Sequence, residues 1–446
     1  MIHSSSSQEY SETSMEESPD RLTNLSDCVL LPIKICGIQW KNLRKQLPTR
    51  SLTSSPPDPK EDRLSNLPDC ILLHILSLLN IKEAIHTCIV SKRWRNLWKH
   101  LPSLSLSSSD FPSIEGFTKF VSQILSQRDA STSLHALKLD SKILIKQPGL
   151  FERILKYAVS HNIQHLQIVG NHDFELFRSC FASCHTLTSL SVFNIFPHQE
   201  VIFSKYLNFP ALRSLHISNV IFPDGDDPFS AFPKLNTLTI AHFQILGEQN
   251  LSITSATLLE LTIQSYSVLH KIKLSTPNLC TISLIGFPFQ ILSGSHLTSV
   301  KHVYIDTKKC LLDNFVKPLL GNLVKPLSDL RSWFLELTNI KSLTISTYTL
   351  QVLSLVPDLL KVEFPSLCNL KLLNIEMKPA ADRLSNKLID TKLILDYLLQ
   401  NSPSAKVRFI KFAPKRNIDY LAKIVSTRIR IGAGGSVRHF FWQDEQ

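Results

Sequence analysis

From about residue 104 onward, the apolar residues of the chain repeat one short pattern, leucine–x–x–leucine–x–leucine, in which isoleucine or valine can replace leucine. The last two apolar positions are separated by one residue, so in an extended strand they point to the same side. A single repeat cannot bury its apolar face, whereas stacked repeats bury a continuous core. The pattern therefore predicts short strands stacked in a solenoid. The triplets that fit it are Leu134/Leu137/Leu139, Ile163/Leu166/Ile168, Leu187/Leu190/Val192, Leu212/Leu215/Ile217, Leu235/Leu238/Ile240, Leu258/Leu261/Ile263, Leu279/Ile282/Leu284, Val300/Val303/Ile305, Ile340/Leu343/Ile345 and Leu367/Leu370/Leu372.

The spacing of the triplets identifies the repeat class. Their central positions are mostly 21 to 29 residues apart, which is the period of leucine-rich repeats. One wider gap lies between residues 303 and 343, and its segment 308–335 is expected to form an inserted helix pair or a long loop. Each strand should be followed by a turn and an irregular or helical return segment. The position after the strand varies among Asn194, Asn219, His242 and Gly286, so a regular asparagine ladder is not expected.

The residues between the apolar anchors should line the concave face of such a solenoid, which in repeat proteins is commonly a binding surface. Most of them are serine or threonine. The alternative is that these hydroxyls only keep an exposed sheet hydrated. Binding energy concentrates in a few large side chains, and the candidate target-binding positions are Phe193, His216, Glu260, His302 and Tyr304.

A different pattern occupies residues 67–102. Pro68 suits the first turn of a helix, and apolar residues then follow at helical spacing up to Leu79. Asn80 is a plausible stop, residues 82–89 form a second short helix, and Ser91 is a good N-cap for a third. Three short helices in about 40 residues bury little apolar surface, so their remaining apolar faces are expected to have a partner. By periodicity alone, the leucines could equally be the internal core of a helical hairpin.

This segment resembles an F-box from Leu67 to Pro102, through LPDCILLHIL, SKRW and WRNLW. The resemblance implies docking onto a Skp-type adaptor and, through it, a cullin–RING scaffold. The positions that match the adaptor-facing positions of the family are Leu67, Pro68, Ile71, Leu72, Ile75 and Leu76. The resemblance also implies that Ile85, Val90, Ser91 and Trp94 complete that contact or hold the helices together. With the repeats that follow, the chain is similar to plant F-box/leucine-rich-repeat proteins.

The start of the F-box segment occurs twice, as DRLTNLSDCVLL at 20–31 and as DRLSNLPDCILL at 62–73. The first copy lacks the stretch that should form the second helix. Its end, WKNLRKQLP at 40–48, is aligned with residues 94–102 at a larger offset. We interpret residues 20–52 as a degenerate duplicate without a stable fold of its own; a regulatory or decoy use is the alternative.

The predicted fold class is α/β: a small three-helix module followed by a leucine-rich-repeat solenoid, a horseshoe with parallel strands on its concave face. The C-terminal part should cap it with an amphipathic helix through Ile394 and Leu398 and the strand VRFIKF. The predicted organisation is an acidic serine-rich tail at 1–19, the partial copy at 20–52, a Pro/Ser linker at 53–61, the F-box at 62–106, the repeats at 107–375 and a cap region and tail at 376–446.

Composition and charge argue against some classes of protein but do not identify a function. The net charge is +11, and residues 1–20 carry five acidic and no basic residues. The surplus of lysine and arginine is scattered, so a nucleic-acid partner is not expected. The sequence has no run of about 18 apolar residues, so it predicts no membrane-spanning helix. The N-terminus lacks the features of a secretory signal, which favours an intracellular protein of the nucleus or cytoplasm.

No catalytic, cofactor or metal motif is present in the sequence. The nine cysteines have no paired spacing typical of a zinc site. The hypothesis is a substrate receptor of a Skp–cullin–F-box ubiquitin ligase, with the repeats binding a target protein for ubiquitination. The alternatives are a repeat scaffold outside any ligase, or a decaying receptor with impaired adaptor binding.

Overall fold

The computed structural model describes residues 67 to 411. It has breaks at 90–92, 142–147, 171–173, 183, 195–201, 204–206, 224–226, 248–249, 266–270, 289, 294–296, 308–323, 338, 355–366, 379–390, 400–401 and 403–404. The predicted acidic tail, partial first copy and linker lie outside the described residues, as do Val90, Ser91 and the chain after residue 411.

The described chain begins with three short helices: α1, Asp69–Ser77; α2, Ile81–His86; and α3, Trp94–Leu97. Single 3-10 turns follow α2 and α3, at Thr87–Ile89 and Trp98–His100. This is the predicted three-helix module.

Asn80 caps the start of the second helix rather than ending the first, which ends at Ser77. Its side-chain oxygen accepts a hydrogen bond from the Glu83 N–H at 2.8 Å, and its own N–H donates to the Glu83 carboxylate at 3.2 Å. This reciprocal capping box satisfies two backbone donors at the start of α2. This cap stabilises the start of α2 only a few residues after α1 ends at Ser77.

The rest of the chain builds one parallel sheet of twelve strands with two small sheets beside it. The large sheet has the order β1-β2-β3-β4-β5-β7-β10-β12-β14-β15-β16-β17. Its strands are β1 Ser103–Ser107, β2 Ala136–Asp140, β3 His165–Val169, β4 Ser189–Phe193, β5 Ser214–Ser218, β7 Thr237–Ala241, β10 Glu260–Ser265, β12 Thr281–Gly286, β14 His302–Asp306, β15 Ser342–Ser346, β16 Leu372–Met377 and β17 Lys406–Lys411. Each strand pairs with the strand of the next repeat, which is the predicted solenoid.

The predicted triplets supply the core. Every anchor of the first nine triplets is buried, and neighbouring strands pair in a register that stacks anchor on anchor, as in Leu190 beside Leu215 and Leu215 beside Leu238. The two anchors of each strand therefore form two apolar rows across the sheet. The buried side chains of the helical module and of the repeats belong to one continuous cluster.

The tenth triplet is three residues further along than predicted. Leu372 is only partly buried, whereas Leu373 and Ile375 are fully buried. They pair with the anchors Leu343 and Ile345 of β15. Both Leu367/Leu370/Leu372 and Leu370/Leu373/Ile375 fit the sequence pattern, so only pairing with the preceding strand distinguishes them.

The return segments are helical at both ends of the solenoid and extended in its middle. The helices are α4 Ile114–Gln127, α5 Pro148–Ser160, α6 Phe174–Phe181, α7 Val324–Glu336, α8 Thr347–Ser354 and α9 Thr391–Leu399. The middle segments form β9 Asn250–Thr254, β11 Lys271–Ser275 and β13 Gln290–Ser293 in a three-stranded sheet, and β6 Ile221–Phe222 with β8 Gln244–Ile245 in a two-stranded one.

The extended return segments differ from the irregular or helical ones that the repeat pattern predicts. Their apolar and polar residues alternate: Leu251 and Ile253 are buried in β9, and Ile272 and Leu274 in β11. A period of two fits a strand rather than a helix, and stacked repeats let these segments pair with one another.

The helix and the strand predicted for the C-terminal part are both present among the described residues. Helix α9 buries Ile394 and Leu398, and β17 adds the last described strand of the sheet.

Of the insertion at 308–335, residues 308–323 lie outside the described residues, and a single helix, α7, covers the part from Val324. No helix among the described residues is long and apolar enough to cross a bilayer.

The helical module runs directly into the sheet. Strand β1 starts within two residues of the last buried leucine of the module, Leu101. The carbonyl of Pro102 accepts hydrogen bonds from the N–H groups of His135 and Ala136, at 2.8 and 3.2 Å. These bonds are of the kind that links successive repeats elsewhere in the sheet, so the end of the module occupies the place of a first repeat.

A buried arginine reinforces this junction. Arg128 donates to the carbonyl oxygens of Leu101 at 2.7 Å, Thr132 at 2.9 Å and Ser133 at 3.0 Å, and to the Tyr157 hydroxyl at 3.1 Å. Its side chain thus ties the last turn of the module to the loop before β2 and to helix α5. Hydrogen bonds to a charged donor are stronger than neutral ones, and an unpaired buried guanidinium would be costly.

The turn after several strands needs left-handed backbone. Asn219, His242 and Gly286 occupy the same position and have φ of 56°, 53° and 100°. Asn219 and Asn194 exchange side-chain to backbone hydrogen bonds at 2.6 and 3.1 Å. Among the described turns the asparagine ladder is therefore confined to two repeats, as its irregular sequence indicates.

Gly286 is expected to be intolerant of any side chain. A Cβ built at this position would lie 2.0 Å from the Ser265 carbonyl oxygen, and the backbone φ of 100° is strained for any L-residue. Gly286→Ala should lower the free energy of unfolding by at least about 2 kcal/mol, measured from the shift of the urea midpoint.

Gly149→Ala is the matched control for that substitution. Gly149 lies in the first turn of α5, and a Cβ there would have no atom within 4 Å. Alanine stabilises a helix relative to glycine. The free energy of unfolding of this variant should therefore equal that of the wild type or exceed it by up to about 1 kcal/mol, so its urea midpoint should not fall. Equal midpoints for the two variants would contradict the strained turn.

Candidate functional site

Helix α1 presents apolar side chains on two sides. Leu72, Ile75 and Leu76 are buried, with at most 7% of their surface exposed. On the other side, Ile71 is 42% exposed and Leu78, directly after the helix, is 61% exposed. Because residues seven apart lie on the same side of a helix, Ile71 and Leu78 share one face.

Leu67 and Pro68 lie directly before the helix. Pro68 is exposed, whereas Leu67 is partly buried and packs against the core. We call Leu67, Pro68, Ile71 and Leu78 the helix surface. Solvent-exposed apolar residues are unremarkable singly, but several on one short helix mark an interaction site.

The ten predicted adaptor-binding residues therefore fall into three groups. Leu67, Pro68 and Ile71 belong to the helix surface. Val90 and Ser91 lie outside the described residues. The remaining five are buried within the chain and hold the helices together: Leu72, Ile75, Leu76, Ile85 and Trp94. Leu78 was not among the predicted residues, although its spacing of seven from Ile71 gives the signal.

A surface ion pair borders the helix surface. The Arg93 guanidinium contacts the Asp69 carboxylate through Nη2 at 2.5 Å and Nε at 3.0 Å. It links the first turn of α1 to the residue that precedes α3, and a negative charge is favourable at a helix N-terminus. Because both side chains are substantially exposed to water, the pair contributes at most about 1 kcal/mol.

The second candidate surface is the outer row of the large sheet, made by the residue between the two anchors of each strand. We call it the sheet face. Most of its members are small and polar, as expected: Ser105, Lys138, Gln167, Ser191, His216, Thr239, Thr262, Ser283, Tyr304, Thr344, Asn374 and Arg408.

The structure places the five candidate target-binding residues differently. His216 and Tyr304 lie in the sheet face, whereas Glu260 and His302 start their strands and are exposed. Phe193 ends its strand and is only 4% exposed. Its ring packs edge-on against His216, with ring centroids 4.5 Å apart. Phe193 thus supports His216 rather than presenting a free aromatic surface.

Tyr304 is part of a buried polar cluster that the sequence does not indicate. Its hydroxyl donates to the Glu376 carboxylate at 2.5 Å and lies 3.1 Å from the Lys378 ammonium. Lys378 also contacts Glu376 at 3.0 Å and Asp306 at 3.3 Å. The small Ser346 stands on the intervening strand and donates to Asp306 at 2.7 Å. Burial, followed by the two nearby carboxylates, raises the pKa of Tyr304, so the hydroxyl keeps its proton.

No group of three or more His, Cys, Asp or Glu side chains in the described part of the chain is arranged to hold a metal ion. Cys180 and Cys184, the closest cysteine pair in the sequence, are both buried. Cys180 lies on α6, and burial raises the pKa of its thiol.

Comparison with known proteins finds similarity to F-box proteins. Residues 64–106 match the F-box domain model. An FBD-associated F-box protein of Arabidopsis thaliana is 34% identical over 34% of this chain and 33% of its own length. An F-box/FBD/LRR-repeat protein of Arabidopsis thaliana is 25% identical over 64% of this chain and 66% of its own length. Arabidopsis thaliana F-box/LRR-repeat protein 13 is 28% identical over 42% of each chain. The chain thus spans less than two thirds of the length of these relatives.

His216 should make the stability of the fold dependent on pH. Burial lowers the pKa of its imidazole from 6.5 to about 4. The unfolded chain therefore takes up a proton near pH 6.5 while the folded chain does so only near pH 4. The free energy of unfolding should fall as the pH is lowered through this window, by at most about 3 kcal/mol.

His216→Gln should flatten that dependence. We expect the urea midpoint of this variant to change less between pH 7 and pH 4.5 than that of the wild type. His302→Gln is the control, because His302 is exposed. If both variants keep the wild-type slope, His216 does not titrate with a depressed pKa.

Proposed function

We propose that this chain, which is similar to plant F-box/leucine-rich-repeat proteins, is the substrate-recognition subunit of a Skp–cullin–F-box ubiquitin ligase. The observation that carries the proposal is the helix surface, an apolar face of α1 that the chain's own core leaves exposed. The F-box docks a Skp-type adaptor through this face, and the repeats bind a target protein.

The docking energy comes from burying the helix surface. Ile71 and Leu78 are 42% and 61% exposed in the free chain, and burial of apolar surface is worth roughly 25 cal/mol per Å². Pro68 and Leu67 extend the contact past the start of the helix. The buried residues Leu72, Ile75, Leu76, Ile85 and Trp94 act indirectly, because they fix the shape that the adaptor meets.

The role of the chain in ubiquitin transfer is proximity rather than catalysis. A target held on the repeats is presented to the ubiquitin-carrying subunits, which converts an encounter between separate molecules into a reaction within one complex. We assign no catalytic residue and no cofactor to this chain; the reaction chemistry belongs to other subunits.

The first test is co-purification with a Skp-type adaptor. Ile71→Glu/Leu78→Glu should reduce the amount of bound adaptor at least about tenfold, because two charges would be buried without partners. Leu246→Glu/Leu259→Glu is the matched control, since these residues are 44% and 45% exposed and lie in the repeats. Leu67→Ala/Pro68→Ala should also weaken binding, and a truncation lacking residues 1–60 should retain it.

The outcomes separate the proposal from its rivals. Loss of adaptor in the control as well would mean that the substitutions act through the fold. If the wild type and the truncation both fail to bind adaptor, the chain is a repeat scaffold or a decayed receptor. If adaptor binds but no cullin is recruited, the chain binds the adaptor without forming a ligase.

A further inference from the structure

Three lysines occupy the same position in three successive repeats. Lys301, Lys341 and Lys371 come immediately before β14, β15 and β16. The N–H of Lys341 donates to the Lys301 carbonyl at 2.8 Å, and that of Lys371 to the Lys341 carbonyl at 2.9 Å. All three side chains are exposed. Since neighbouring strands are about 4.8 Å apart, the three cations start from backbone positions that are nearly in contact.

The next strand adds two cations one residue out of register with these lysines, because Lys406 pairs with Leu372, the residue after Lys371. Lys406 begins β17 and donates its N–H to the Lys371 carbonyl at 3.0 Å. Arg408 lies two residues further, on the same side of the strand, and both side chains are exposed. We call Lys301, Lys341, Lys371, Lys406 and Arg408 the basic row.

The backbone beneath the basic row is held in place by amide side chains. Asn339 donates to the Thr298 carbonyl at 2.9 Å, and Asn369 donates to the Asn339 side-chain oxygen at 3.0 Å. These bonds join the turns that precede three successive strands. The basic row is therefore mounted on a fixed support, with only the lysine and arginine side chains free to adapt.

The basic row has no neutralising partner in the part of the chain that the structure describes. None of the ion pairs there includes any of its five members, and the turns at 297–301, 339–341 and 367–371 contain no Asp or Glu. Other lysines are paired: Lys156 contacts Glu152 at 2.7 Å, and Lys378 contacts two carboxylates. Like charges held this close repel one another, so an anionic partner would relieve the repulsion.

We propose that the basic row binds an acidic, extended segment of the target protein, with carboxylate or phosphate side chains. This inference rests on the proposed function, because it names the class of target that the repeats select. The row crosses four strands, or about 15 Å, which is the length of four or five extended residues. Arg408 provides a forked donor that can bind one carboxylate or phosphate through two hydrogen bonds.

The composition of the row favours a polypeptide over a nucleic acid. Single-stranded nucleic acids are held by basic grooves combined with aromatic side chains that stack on bases. The basic row contains no aromatic residue, and the exposed Phe409 next to Arg408 is a single ring rather than a series of them. An RNA oligonucleotide is nevertheless included in the test as a competing ligand.

The experiment measures binding of a fluorescein-labelled peptide of twelve residues in which glutamate alternates with serine. Binding to the full chain should weaken when NaCl is raised from about 50 to about 200 mM. Lys301→Glu/Lys341→Glu/Lys371→Glu should lower the affinity at least about tenfold. A peptide with phosphoserine in place of serine should bind more tightly, and one with glutamine in place of glutamate should not bind.

The matched control is Lys119→Glu/Lys271→Glu/Lys273→Glu, which changes the net charge equally at exposed lysines of α4 and β11. It should bind the acidic peptide within about twofold of the wild type. Equal losses in both variants would show attraction by net charge alone and would overturn the proposal. So would tighter binding of an RNA oligonucleotide of the same charge that also depends on the three lysines.

Adaptor co-purification of the same variants separates this proposal from the ligase assignment. The basic-row variant should retain the adaptor, because the substituted lysines lie in the last repeats and α1 is unchanged. If the wild type binds the acidic peptide through the basic row but binds no adaptor, the ligase assignment fails and the peptide site stands. If the wild type binds adaptor but no acidic peptide, the ligase assignment stands and the basic-row proposal fails.

Discussion

The stacking of two apolar side chains per strand, strand upon strand, is the constraint on which the rest of this structure depends. Parallel pairing sets the register, and the register stacks anchor on anchor from β1 to the last described strand. Once the anchors are fixed, every other position of the strand has a determined direction. The sheet face and the basic row are therefore consequences of core packing: both consist of what the sequence places at positions the core does not use.

The same constraint explains which features the sequence could predict. The first nine triplets could be predicted because a one-residue slip would expose every anchor of a strand, so the apolar pattern specifies the register. The tenth was wrong because two overlapping triplets are present, and the local pattern cannot choose between Leu370 and Leu373 as the central anchor. The extended return segments were missed because a strand on the outside of a solenoid depends on pairing with its neighbours as well as on alternation.

The candidate site was predictable in location but not in detail. A short helix with leucine or isoleucine at most positions shows no amphipathic contrast, so the sequence could not tell which side of α1 packs on Trp94 and which remains exposed. The cluster around Tyr304 could not have been found either. It joins residues of β14 and β16 across an intervening strand, and it depends on the small size of Ser346. The spacing of residues along the sequence does not show which side chains meet across neighbouring strands.

The proposed function separates two kinds of recognition in space. The helix surface is apolar and small, as suits one partner of constant shape. The repeats offer hydroxyls and charges, which can vary from one chain to another without touching the core. Because anchors and outward-facing residues alternate, substitutions at the more exposed sheet-face positions leave the apolar anchors in place, so these positions can vary while the fold does not.

The junction between the two parts restricts how such a protein could arise by exchange of gene segments. The F-box match ends at residue 106, yet β1 runs from Ser103 to Ser107 and is the first strand of the sheet. A recombination event at that boundary would cut through β1, and Arg128 would then face the Leu101 carbonyl oxygen of a different F-box segment. The helical module and the first repeat therefore share one strand and one buried arginine, and a break between later repeats would cut through neither.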